Sequence, residues 1–195
     1  MDSNNRVLSA DMVIDSEAYR IDIWQKFQER FVAMLQSHSQ VLVVRLLVRF
    51  PEEIIAQADN RCFQHWMETY RRDLDRNRLT PHYLWVREQH CSWNAHYHVI
   101  LFFDGNAIRY FRKERAEELW GQALQSQEGY FGSKSGLIEV CSASYQGIPM
   151  NQGICVSRSD GALQNYVGDL GLYLAKTVTK GSAPCRVREF GCSLL

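Results

Sequence analysis

Two histidines separated by one residue, His96 and His98, head an apolar run that continues through Val99-Ile100-Leu101-Phe102-Phe103. Such a run reads as a β-strand, in which residues i and i+2 point to one face, so the two imidazoles aim together and offer two nitrogens to one metal ion. A short polar turn around Ser92-Trp93-Asn94 separates it from a second strand-like stretch, 82–89. With the turn centred near Ser92, Glu88 falls opposite His96, and opposed residues of an antiparallel pair share a face about 5 Å apart. Glu88, His96 and His98 then make a two-nitrogen, one-carboxylate set that suits Mn²⁺, Mg²⁺ or Zn²⁺ better than a thiolate-selecting metal. A register slipped by one residue turns Glu88 to the other face and leaves Gln89 or His90 as the third ligand.

A nucleophile is available late in the chain. Tyr173-Leu174-Ala175-Lys176 places a phenol and an ammonium at i and i+3, neighbours on a helix surface. A cation there favours the phenolate or stabilises charge on an attacked phosphate. Tyr166, seven residues earlier, shares that helix face and serves either as a second hydroxyl or as packing.

The elements that must position these residues are legible from periodicity. Ile23, Phe27, Phe31 and Leu35 recur every fourth residue and predict an amphipathic helix over 17–38, after a polar arm at 1–16. The β-branched stretch 40–50, stopped by Pro51, predicts a strand covered on both faces. Phe63, Trp66, Met67, Tyr70 and Leu74 predict a helix over 54–78, ended by Thr80-Pro81. After the two strands at 82–89 and 96–103 come a helix over 112–126, strands near 137–145 and 153–158, and a last helix over 161–180. The order is α-β-α-β-β-α-β-β-α, an α+β fold with a mainly antiparallel five-stranded sheet and flanking helices. Residues 1–38 read as an arm and helix packed on the domain formed by 39–195.

Composition narrows the function classes. In 195 residues, 46% are hydrophobic and none of the apolar runs reaches the length of a membrane span, and the polar start lacks the pattern of a secretory leader, so a cytoplasmic protein is expected. Six scattered cysteines without a C-x-x-C pair predict reduced thiols. The 22 basic residues are matched by 22 acidic ones, which argues against sequence-independent coating of nucleic acid but not against local basic surfaces. Two such clusters stand out: Arg109, Arg112, Lys113 and Arg115, and the tail's Lys176, Lys180, Arg186 and Arg188 against Glu189 alone.

An apolar strand, then a strand bearing Glu88, then His96-Tyr97-His98, then Tyr173 with Lys176 resembles the HUH superfamily of replication initiators and relaxases. The run Trp85-Val86-Arg87-Glu88 through Val99, together with Tyr173-Leu174-Ala175-Lys176 and the tail Arg188-Glu189-Phe190-Gly191-Cys192-Ser193, is most similar to inovirus-type replication proteins of filamentous phages, satellites and prophages. The resemblance covers about 41–193. It implies an RRM- or ferredoxin-like palm, with Mn²⁺ or Mg²⁺ held by His96, His98 and Glu88 to polarise a scissile phosphate of single-stranded or hairpin origin DNA. It further implies attack by Tyr173, a 5′-phosphotyrosine link and a free 3′-hydroxyl for a host polymerase, with a host helicase as partner. Lys176 stabilises charge in this scheme, and Tyr166 or a DNA hydroxyl resolves the intermediate. The non-catalytic rival is a silent module of the same fold that binds DNA or protein as a replication regulator. A two-histidine phosphoesterase needs a second His-x-Thr/Ser motif that this sequence lacks, and a structural zinc module needs cysteines beside the histidines.

Overall fold

The computed structural model describes residues 18–89, 92–180 and 183–195. The arm at 1–16 and His90 lie outside them. Four helices, α1 (Ile21–Ser37), α2 (Arg61–Arg76), α3 (Glu114–Glu128) and α4 (Gly161–Leu174), flank a sheet whose strand pairs are all antiparallel. The fold is α+β, as the periodicity predicts. The sheet order is β4-β1-β3-β2-β8, built from β4 (Ile138–Val140), β1 (Gln40–Arg49), β3 (His96–Asp104), β2 (His82–Glu88) and β8 (Phe190–Cys192). A sixth strand, β7 (Ile154–Ser157), shares the β1 edge with β4, pairing with 40–43 while β4 pairs with 46–48. A separate small hairpin joins β5 (Ser144–Tyr145) and β6 (Ile148–Pro149).

The sheet carries a core on each face, as alternation dictates. On one side Leu42, Val44, Leu46, Val48, Tyr97, Val99, Leu101 and Phe103 pack under α2 and α3. On the other Val41, Val43, Leu84, Val86, Ile100 and Phe102 pack under α1 and α4. Tyr97 decides how β3 is turned. Its ring, fully buried, stacks on Phe63 with centroids 3.8 Å apart and planes 6° from parallel. Burying a side chain of this size is worth about 1.5–3 kcal/mol, and placing it under α2 forces His96 and His98 onto the opposite face. A one-residue slip would bury two imidazoles and expose the phenol.

α1 faces the sheet with Ile23, Trp24, Phe27, Phe31, Met34 and Leu35. Its buried Arg30 donates Nε and Nη2 to the Ser193 carbonyl at 3.1 and 2.6 Å, tying the helix to the end of the chain. α4 meets α1 through Gly171, where a Cβ would overlap the Phe27 ring. The two helices therefore sit close enough to fix the turn of α4 that bears Tyr173.

The structure departs from the expected elements at four main points. α2 starts at Arg61, because 51–60 is tied off by Asn94, which accepts from Ala56 N and donates to the carbonyls of Pro51 and Ile54. α4 ends at Leu174, because the chain after it pairs with the segment before α1: Arg20 N donates to Ala175 O at 2.7 Å and Thr177 N to Ala18 O at 2.9 Å. The expected strand at 137–145 divides into β4 and β5, and the tail contributes the unexpected edge strand β8. Among the described residues, no helix is long and apolar enough to cross a membrane.

Candidate functional site

β2 and β3 pair in the register that brings Glu88 directly opposite His96, with Val86 opposite His98. Nε2 of His96 and of His98 lie 3.6 and 3.4 Å from Glu88 Oε2, and the three ligand atoms all fall within 4.8 Å of one another. Those separations are close to the edges of a coordination polyhedron with bonds of about 2.1 Å, so the donor set fits a divalent cation with open positions. Gln89 is engaged elsewhere: its Oε1 accepts from Arg87 Nη2 at 2.6 Å and its Nε2 donates to the Trp93 carbonyl.

The two oxygens of Glu88 do different things. Oε2 faces the imidazoles, while Oε1 accepts from Thr179 Oγ1 at 2.9 Å and from Lys180 Nζ at 2.5 Å. The Lys180 side chain is 1% exposed. Burial alone raises the Glu88 carboxyl, but the adjacent His96 and His98 imidazoles and the Lys180 hydrogen bond outweigh it and hold the group well below the usual carboxylate range. Burial lowers the Lys180 ammonium, opposed in part by Glu88. Partners behind a ligand commonly orient it, and Lys180 with Thr179 does so here. His98 Nδ1 is buried without a hydrogen-bond partner among the described residues, so packing and Glu88 fix that ring.

Sequence reasoning missed both residues. Lys180 is seven positions after Tyr173, but the expectation of a helix through 180 put it on a solvated helix end. The 3-10 turn Thr177–Thr179 instead carries the chain back to Glu88.

The next strand extends the site. Arg49 lies opposite His96, Leu47 opposite His98 and Arg45 opposite Ile100, so Glu88, His96 and Arg49 form one row across three strands. Arg49 is ion-paired at 3.0 Å with Glu139 of β4. Tyr173 projects from α4 over this surface at 46% exposure. Its ring lies 5.7 Å from the Arg45 guanidinium and 4.6 Å from the Lys176 ammonium, within reach of cation–π attraction. Lys176 is outside the helix, held by its backbone bridge to Tyr19, yet it still reaches Tyr173. Tyr166 packs against Tyr145 with ring centroids 5.1 Å apart. Glu88, His96 and His98 thus converge, Tyr173 and Lys176 meet on the adjoining surface of the same sheet face, and Tyr166 stands against the β5–β6 hairpin.

A family model described as the YagK/YfjJ C-terminal domain matches residues 4–193. No curated protein and no solved structure matches the chain.

Proposed function

The chain belongs to the YagK/YfjJ C-terminal domain family, and we propose that this member nicks and rejoins single-stranded DNA with a tyrosine nucleophile at a divalent metal site, as HUH replication initiators do. One observation carries the reading: the Glu88 Oε2, His96 Nε2 and His98 Nε2 set opens on the same sheet face as the exposed Tyr173, which stands beside two cations. Mn²⁺ or Mg²⁺, when bound by Glu88, His96 and His98, supplies Lewis-acid polarisation of a phosphate oxygen.

The protein's own groups do the rest. Arg49, beside His96, and Arg45, beneath Tyr173, bind the phosphodiester and align it for in-line attack. Tyr173 Oη gives up its proton to solvent and bonds to phosphorus as the P–O3′ bond breaks. The leaving oxygen takes up a proton as a 3′-hydroxyl, and the 5′ side stays on the enzyme as a tyrosine phosphodiester. Lys176 stays with the ring, where its charge opposes that passing between phenolate and phosphate. A 3′-hydroxyl attacking the phosphotyrosine reverses the step and joins the strand. Use of this chemistry to start rolling-circle replication of a phage, satellite or plasmid, with origin DNA and host helicase and polymerase as partners, completes the proposal.

The test is adduct formation. With Mn²⁺ and single-stranded DNA from the replicon that encodes it, the protein becomes covalently attached to the 5′ side of a cleaved strand, and Tyr173→Phe does not. Equal adduct formation by Tyr173→Phe removes the nucleophile assignment.

The silent regulator is the second reading. The observation favouring it is that the buried ammonium of Lys180 compensates the Glu88 charge. Binding of that DNA with no cleavage in any divalent metal selects it.

A further inference from the structure

On the other face of the sheet, a groove of about 660 Å³ runs between α2 and the C-terminal arm that leads into β8. Arg61 and Arg71 line it from α2, Arg186 and Arg188 from the arm, and Trp85 and Gly191 from the floor. A Cβ on Gly191 would stand 2.8 Å from the Trp85 indole, so only glycine lets β8 lie this close to the ring. The acidic groups at the rim are engaged: Asp59 pairs with Arg61, and Glu68 with Arg72. Arg71 pairs with Asp75. Arg186 and Arg188 are exposed, and their guanidinium groups have no partner among the described residues.

The arm that presents them is built in. Asn60, 4% exposed, donates Nδ2 to the Arg188 carbonyl at 2.7 Å, and Arg87 N donates to the Glu189 carbonyl at 2.7 Å. Arg186 sits at φ +66°, a left-handed conformation that costs a non-glycine residue free energy and persists only where its surroundings impose it.

We propose that this groove binds the backbone phosphates of the single-stranded DNA flanking the scissile position, with Arg186 and Arg188 as the contacting cations; the proposal rests on the nicking function above. Charge selects the ligand. In a chain of zero net charge, two uncompensated guanidinium groups on a fixed arm mark a local anion site, and guanidinium matches phosphate in a forked geometry. Trp85, 6% exposed, offers no open ring face for a base to stack on, so recognition is of the backbone and independent of sequence. Trp85 precedes Glu88 by three residues on β2, about 10 Å along the strand, with its side chain on the opposite face. Lys180 at Glu88 and Arg186 in the groove are six residues apart, about 20 Å at full extension. A strand leaving the nicking centre passes around the three-residue edge strand β8 into the groove.

The experiment measures binding of a fluorescein-labelled oligothymidine by anisotropy across a salt series, using the full chain with Arg186→Ala and Arg188→Ala together. Affinity is expected to fall at least about tenfold, and the slope of log K against log salt by about 1.4, the share of two phosphates on a single strand. Arg186→Lys with Arg188→Lys keeps most of the slope. Unchanged affinity and slope in the alanine pair, in a preparation whose parent forms the Tyr173 adduct, overturn the groove and leave the nicking reading standing. A parent that neither binds nor cleaves single-stranded DNA overturns both. If the alanine pair loses binding of polyglutamate but not of oligothymidine, the groove is an acidic-peptide site and the DNA assignment is wrong.

Discussion

Lys180 holds one oxygen of Glu88 and leaves the other to the two histidines. The carboxylate is thereby fixed before any metal arrives. It has an orienting partner behind it and an oxygen turned to the imidazoles in front, and the cost of burying its charge is met by the ammonium.

Removing that ammonium is expected to destabilise the metal-free protein. Lys180→Met leaves Glu88 buried with only the Thr179 hydroxyl and the histidines beside it, a loss of about 3–5 kcal/mol for breaking a buried pair. A divalent ion then takes over the compensating role, so Mn²⁺ raises the unfolding midpoint of the variant more than that of the parent. For scale, a ligand at a hundred times its Kd adds about 2.7 kcal/mol. Thermal unfolding with and without Mn²⁺ reads the comparison, and equal shifts would show that Lys180 does not stand in for the cation.

The acid limb of stability follows from the same carboxylate. Burial raises Glu88, the His96 and His98 imidazoles and the Lys180 hydrogen bond lower it by more, and the net value lies below that of the unfolded chain. The native state therefore binds fewer protons than the unfolded state. The stabilising contribution is complete above the unfolded carboxylate value of about 4.3 and is lost as the pH falls below it. Glu88→Gln is expected to be less stable at neutral pH and to show a flatter decline under acid. Urea midpoints taken from neutral pH down into the acid range check this, and an unchanged slope removes Glu88 from the acid transition.

Gly171→Ala tests the seat of Tyr173, the proposed nucleophile. Alanine gains about 1 kcal/mol in helix propensity, but its Cβ overlaps the Phe27 ring, and overpacking costs about 1–3 kcal/mol. The clash is expected to win and to displace the turn carrying Tyr173. Stability falls modestly and adduct yield falls with it. Phe27→Leu in the same chain makes room and restores both; a double variant no better than the single one counts against this contact.

Tyr97→Phe isolates one hydroxyl. Tyr97 Oη donates to Asn60 Oδ1 at 2.9 Å in the buried core. Phenylalanine keeps the stack on Phe63 and strands the amide oxygen, at a cost of about 1–3 kcal/mol. Because Asn60 also carries the Arg188 carbonyl, the C-terminal arm is expected to be cleaved faster in limited proteolysis than in the parent. Unchanged proteolysis would mean that the arm is held without Asn60.

What could be read from the sequence was what alternation and short turns control. The spacing of His96 and His98 and the short turn before them carried both the shared face and the pairing of Glu88 with His96. Those relationships span eight residues. Lys180 was not legible because α4 stops at Leu174 on account of backbone pairing with 18–20, a partner more than 150 positions away that has no local signature. The same holds for β8, three residues long, and for the Asn60–Arg188 bond across 128 positions. Arg45 and Arg49 were not singled out within the apolar stretch 40–50. Only the order of strands across the sheet puts Arg49 beside His96 and Arg45 beneath Tyr173.

Between the two histidines, Tyr97 points away from them and reaches Asn60, which holds the arm bearing Arg188. One strand therefore serves as the platform for the candidate metal ligands on its front and the latch of the arm on its back. A misregistered β3 cannot keep one and lose the other: a slip that scatters the imidazoles also unlatches the arm. Assembly is proofread by this coupling, so a molecule whose arm is latched is also one in which Glu88, His96 and His98 converge.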